Sequence, residues 1–141
     1  MDKQYKIIFV CEWNTCRSAM AKYIFKYLVK KYELADKIFV DSAGCRVRFS
    51  EPIGKRTKQT LQQQNIPLDD EHISKPFTIQ QYEKFDCIIA LDNRTLQITK
   101  KFHKTTPKIK FAFSRIVTEK ISALPIRDRP ANILKLLWKF L

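Results

Sequence analysis

Two hydrophobic periods alternate along this chain, and the switching between them predicts a layered α/β domain. Ile7-Ile8-Phe9-Val10 is a continuous apolar run and reads as a buried strand. From Ala19 to Lys31 the period lengthens: Met20, Ile24, Tyr27 and Leu28, with the stem of Lys31, trace one face of a helix. Ile38–Asp41 reads as a second strand, ended by Ser42-Ala43-Gly44, and Cys45 to Ile53 as an irregular basic loop. Thr57–Asn65 predicts a helix stopped by Asn65 and Pro67, and Thr78–Lys84 a shorter one. Cys87–Leu91 is again wholly apolar and predicts a strand covered on both faces, followed by a helix over Arg94–Phe102. Ile109–Phe113 predicts a fourth strand, Ser114–Asp128 a loop, and Ala131–Leu141 a short last helix. Strands alternating with helices imply one domain over residues 1–141, a four-stranded parallel sheet with helices on both faces. Ligands in such sheets bind beyond the carboxyl ends of the strands. Cys11, Ser42 and Asp92 all fall just past strand ends, so this topology can bring them to one rim.

Charge and cysteine content narrow the function classes. The 141 residues carry 27 Lys and Arg against 14 Asp and Glu, a formal net charge of +13, which favours a phosphorylated or otherwise acidic partner. The basic residues are spread along the chain, and neither a helix-turn-helix nor an aromatic RNA-binding signature is present, so nucleic acid is not the expected partner. The four cysteines, Cys11, Cys16, Cys45 and Cys87, lack CxxC spacing, which argues against a zinc site; no metal or cofactor is expected. No apolar run approaches membrane-spanning length and no signal-peptide pattern opens the chain, so a reduced, cytoplasmic setting without membrane contact is expected.

The chemistry concentrates between the first strand and the first helix, in Cys11-Glu12-Trp13-Asn14-Thr15-Cys16-Arg17-Ser18. Unpaired N–H groups at a helix N-terminus attract anions, a thiolate included. Arg17, six positions after Cys11, supplies a cation shaped to grip two phosphate oxygens, and Ser18 offers the sulfur a hydrogen bond. The stretch reads as a phosphate cradle with a nucleophile at its base.

With these residues in view, the chain resembles the low-molecular-weight protein tyrosine phosphatases. The resemblance runs from Lys6 to about Lys101 and is carried by four segments: Ile7–Ala21, Val40–Gly44, Glu71–Lys75 and Phe85–Asp92. It implies a phosphotyrosine phosphatase I-like, flavodoxin-like fold and hydrolysis of phosphotyrosine through a phosphocysteine on Cys11, with Arg17 binding the phosphate and its transition state. The loop residues Glu12, Trp13, Asn14, Thr15, Cys16 and Ser18 would line the phosphate site. Asn14, suited to a left-handed backbone, would be held by Ser18, Ser42 and His72, with Asp92 in support. A reversible Cys11–Cys16 disulfide is also implied. The implied partners are a phosphorylated protein or small aryl phosphate, and inorganic phosphate or another oxyanion as product or inhibitor. The family's general acid is an Asp followed by Pro and an aromatic pair; here Asp128 stands in about that place, with Arg129 next to it.

The residues also admit other roles. His72 alone reads as a surface histidine, Asp92 as the cap of the following helix, and Asp128 as a partner of Arg127 or Arg129 or a cap of the last helix. Trp13 stands where the family has Gly, which would cost about 1–2 kcal/mol if that position needs positive φ. Glu12 puts a negative charge near the entrance, and Phe49 and the neighbouring arginines stand where the family has a recognition loop. Two alternatives to an active phosphatase follow: a catalytically weak phosphate- or phosphopeptide-binding relative, and an arsenate reductase, for which Cys87 would have to join a thiol relay.

Overall fold

The computed structural model describes residues 4–104. Three strands, β1 (Tyr5–Cys11), β2 (Ile38–Gly44) and β3 (Cys87–Ala90), form a parallel sheet in the order β2-β1-β3. Around them lie α1 (Arg17–Lys31), α2 (Lys55–Gln63), α3 (Ile79–Lys84) and α4 (Asn93–Thr99), which runs into a 3₁₀ turn over Lys100–Lys104. The expected fourth strand, Ile109–Phe113, the loop with Asp128 and the last helix, Ala131–Leu141, lie outside the described residues. What is seen of the expected four-stranded sheet is therefore three strands.

The apolar run in β1 explains why this strand is central. Ile7, Ile8, Phe9 and Val10 are fully buried, and their side chains alternate between two cores. Ile7 and Phe9 pack with Ile24, Phe25 and Leu28 of α1 and Leu61 of α2. Ile8 and Val10 pack on the opposite face with Tyr82 of α3, Phe85 and Ile88. Each large side chain so buried stabilises the fold by about 1.5–3 kcal/mol. Helices on both faces, as expected, leave β1 with no solvent side.

Several boundaries differ from the sequence reading, each for a local reason. β2 continues past Asp41, because Ser42, Ala43 and Gly44 keep the parallel register with Phe9, Val10 and Cys11. α1 begins at Arg17, and its buried surface is far wider than one stripe: Ser18, Ala19 and the run from Ala21 to Phe25 are all buried. The sheet covers one side of this helix, while α2 and the segment from Ile66 to His72 cover another, so periodicity alone misses the second contact. Tyr27, expected on the packed face, is exposed. Thr78 caps α3 with a capping box completed by Gln81, and Asp92 caps α4 by accepting from the Thr95 N–H at 2.7 Å. No helix among the described residues is long and apolar enough to cross a membrane.

Candidate active site

β1 ends at Cys11 and α1 starts at Arg17, so residues 11–17 must turn the chain through a tight loop at the carboxyl edge of the central strand. Asn14 is the pivot. It is fully buried and takes a left-handed backbone, φ 58°, which Asn tolerates better than most residues. All of its polar groups are used. Its N–H donates to the Cys11 Sγ at 3.3 Å, and its carbonyl accepts from His72 Nε2 at 2.6 Å. Its side-chain Nδ2 donates to Ser18 Oγ at 2.8 Å and to Ser42 Oγ at 2.9 Å, and its Oδ1 accepts from the Lys75 N–H at 3.1 Å. Ser18 Oγ lies 2.9 Å from the Cys11 Sγ. Because Ser18 accepts from Asn14, its own hydroxyl hydrogen is available to the sulfur.

Three more carbonyls of the loop are tied to groups outside it. Cys11 O accepts from the Cys45 N–H and Glu12 O from the Arg46 N–H, both at 2.9 Å, and Thr15 O accepts from the Gly54 N–H at 2.8 Å. In a trans peptide the carbonyl of one residue and the N–H of the next point in opposite directions. Anchoring the carbonyls of Cys11, Glu12, Asn14 and Thr15 outward therefore turns the N–H groups of Glu12, Trp13, Thr15 and Cys16 to the other side, an arrangement suited to an anion. Cys11 is buried at its base.

Gly44 makes this wrapping possible. A Cβ there would come within 2.6 Å of the Glu12 carbonyl oxygen, 2.5 Å of Val47 Cγ2 and 3.0 Å of the Asn14 nitrogen. Two of those three atoms belong to the loop backbone and cannot swing aside. Gly44→Ala is expected to lower melting stability by about 1–3 kcal/mol and to lower phosphate affinity as well, measured by thermal unfolding with and without phosphate.

At the rim, Arg17 Nη1 lies 2.6 Å from Asp92 Oδ2. Asp92 thus caps α4 and pairs with Arg17; its described hydrogen bonds do not reach the Asn14 network it was expected to support. Partial burial works against its charge, yet the Thr95 N–H and the Arg17 guanidinium hold its carboxyl below the usual carboxylate range. The Glu12 carboxylate is engaged by Arg94 Nε at 3.2 Å and lies 4.0 Å from Arg46 Nε, so its charge is partly neutralised. Trp13 is half exposed and is not among the described non-glycine residues with positive φ, so it does not bear the anticipated backbone cost. Thr15 Oγ1 lies 3.8 Å from the exposed Cys16 sulfur. Phe49 is exposed. Asp128 lies outside the described residues.

His72 is no surface residue: it is buried, reaching the loop from 58 positions away. Burial pushes its pKa down; the hydrogen bond to Asn14 opposes this and the nearby Lys22 ammonium adds to it. A histidine kept neutral when folded takes up a proton more readily when unfolded. Its contribution is thus intact above about pH 6.5 and is lost as pH falls below that value toward the lower folded pKa. Urea midpoints are expected to drop between pH 7.5 and 5.5, and His72→Gln is expected to flatten that drop. Three charged residues at this site escaped sequence reading: Lys22, Lys75 and Arg94. Each reaches it through contacts distant in sequence, for which spacing carries no signal.

A strand, a tight loop holding a buried thiol, and a helix opened by arginine define an α/β protein with a cysteine–arginine loop at the carboxyl edge of its sheet. The sequence profile of the low molecular weight phosphotyrosine protein phosphatases matches residues 6–128, and the chain belongs to that family. A low molecular weight phosphotyrosine protein phosphatase of Dictyostelium discoideum is 33% identical over 120 residues, 73% of this chain and 65% of that protein. A protein-arginine-phosphatase of Bacillus subtilis is 37% identical over 95 residues, 65% of this chain and 59% of that protein. This chain thus matches rather less than two-thirds of the length of these curated relatives. The crystal structure of YfkJ from Bacillus subtilis has the same fold, with a TM-score of 0.76 at 24% identity over 96% of this chain and 89% of that one.

Proposed function

We propose that this protein hydrolyses phosphotyrosine, or a related aryl phosphate, on proteins through a phosphocysteine intermediate. The observation that carries this reading is the buried Cys11 sulfur, hydrogen-bonded by Asn14 and Ser18 at the base of a loop whose carbonyls are tied outward. In the first step the sulfur attacks phosphorus, the bond to the leaving oxygen breaks, and Asp128 gives that oxygen its proton. In the second step Asp128 takes a proton from water, which attacks the phosphocysteine and releases inorganic phosphate. Arg17 and the inward N–H groups of Glu12, Trp13, Thr15 and Cys16 bear the charge that grows on the phosphoryl oxygens. The scheme needs no metal. The family profile extends through Asp128, which supports the assignment of the acid. The mature protein would act in the cytoplasm, where a reduced Cys11 persists.

The related protein-arginine-phosphatase favours one second reading, a phosphoguanidino substrate at the same loop. An arsenate reductase is disfavoured, because Cys87 is buried opposite Ile7, four positions down β1 from Cys11, roughly 13 Å away along the strand. The deciding experiment supplies phosphotyrosine and phosphoarginine peptides to the purified protein and quenches in acid. A phosphoryl group trapped on Cys11 with phosphotyrosine supports the main reading; trapping with phosphoarginine alone supports the second. Phosphate binding with no trapped intermediate and no turnover would leave a binding protein. Asp128→Asn is expected to slow release of a poor leaving group far more than of p-nitrophenol.

A further inference from the structure

Lys22 is an unusual lysine. It lies on the packed side of α1 and is 6% exposed, though nothing in its sequence position marks it as buried. Its Nζ lies 2.8 Å from His72 Nδ1 and 4.5 Å from the centre of the Tyr23 ring. The carboxylates near it are engaged elsewhere. Asp41 pairs with Lys75, and Asp70 accepts from the Tyr23 hydroxyl at 2.6 Å and lies 3.6 Å from Lys26. The imidazole is thus the acceptor left for the Lys22 ammonium among the described residues.

Two contacts then determine the state of the ring. An ammonium only donates, so Nδ1 must be the unprotonated nitrogen. The Asn14 carbonyl only accepts, so Nε2 must carry the hydrogen. Both ends require the same neutral tautomer, and protonating Nδ1 would set two donors against each other. Through the ring the ammonium is connected to Asn14, whose own N–H points at the Cys11 sulfur.

We infer that Lys22 is a positioning residue of the phosphatase site: its ammonium holds His72 as the neutral Nε2–H tautomer, and that tautomer anchors the Asn14 carbonyl and so aims the Asn14 N–H at the Cys11 sulfur. The kinetic consequence rests on the phosphatase reading above; the tautomer itself does not. The charged groups facing this pair are Lys26 from α1, Asp41 from β2, and Asp70 and Lys75 from the segment between α2 and α3. Burial lowers the Lys22 pKa while Asp70 and Asp41 oppose that fall, and burial also lowers that of His72.

The test is ¹⁵N imidazole spectroscopy of the full-length protein, which has two histidines, followed from pH 8 to pH 5. The wild type is expected to show His72 protonated at Nε2 alone, with no titration near the ordinary value of about 6.5. Lys22→Met, which keeps the length and removes the donor, should give a ring whose pKa moves upward toward the ordinary range or that mixes tautomers. It should also cost about tenfold in kcat at pH 6 relative to pH 8, with KM little changed. Lys22→Arg, which restores a donor, should recover the wild-type spectrum. A wild-type ring protonated at Nδ1, or a Lys22→Met protein whose ring signal is unchanged, overturns the proposal. Should Lys22→Met fail to fold, the wild-type tautomer and the Lys22→Arg spectrum still decide. Inactivity of the wild type toward every phosphate would remove the kinetic arm and the phosphatase reading, leaving the spectrum to judge Lys22.

Discussion

Cys11→Ser is expected to lower kcat on an aryl phosphate by about 10⁴–10⁶-fold while inorganic phosphate still binds within about threefold of wild type. The two outcomes separate because the sulfur and the anion site are built from different atoms. The donors that would meet the phosphoryl oxygens are backbone N–H groups, aimed by carbonyl bonds to Cys45, Arg46, His72 and Gly54. Serine keeps that backbone and can still accept from Asn14 and Ser18. It lacks only a readily ionised nucleophile, since a hydroxyl is far less acidic than a thiol. Single-turnover kinetics and phosphate titration on the same preparation check both halves. A Cys11→Ser protein that turns over at the wild-type rate removes the phosphocysteine mechanism.

Arg17→Lys is expected to cost about 10²–10³-fold in kcat/KM, most of it in kcat. Arg17 opens α1 and is half exposed, yet its guanidinium is already oriented by Asp92, which is itself held by the Thr95 N–H. A fork so braced can present two parallel donors to a phosphoryl group, whereas an ammonium offers a point charge on a flexible stem. Asp92→Ala should therefore weaken turnover through Arg17 and should also shorten α4 by removing its cap, at about 1 kcal/mol. If Arg17→Lys leaves kcat/KM unchanged, the transition state does not lean on this side chain. If the expected loss is seen, Asp92→Ala should add no further loss of turnover in an Arg17→Lys background, because the two residues act as one unit.

The sequence by itself determined the frame. The unbroken apolar run Ile7–Val10 read as a buried strand because it is short and rich in β-branched and aromatic residues, and all four side chains are buried. The alternation of strands and helices specified the layered sheet, and the order of Cys11, Arg17 and Ser18 between a strand and a helix specified the loop that brings Ser18 to the Cys11 sulfur. Asn14 was legible as the left-handed residue because few other side chains accept φ 58°.

Only the tertiary structure decided what surrounds that loop. Periodicity reports which face of an element is dry, not which polar group waits on the other side of the contact. It thus placed Tyr27 inside, where it is exposed, and gave no hint that Lys22 is buried against His72, 50 positions away. The pairing of Arg17 with Asp92 across 75 positions, the engagement of Glu12 by Arg94, and the need for a side chain no larger than hydrogen at Gly44 are likewise products of parallel-strand register. A sequence records neighbours along the chain. The loop is shaped by neighbours across the sheet, and those exist only once β1, β2 and β3 lie side by side.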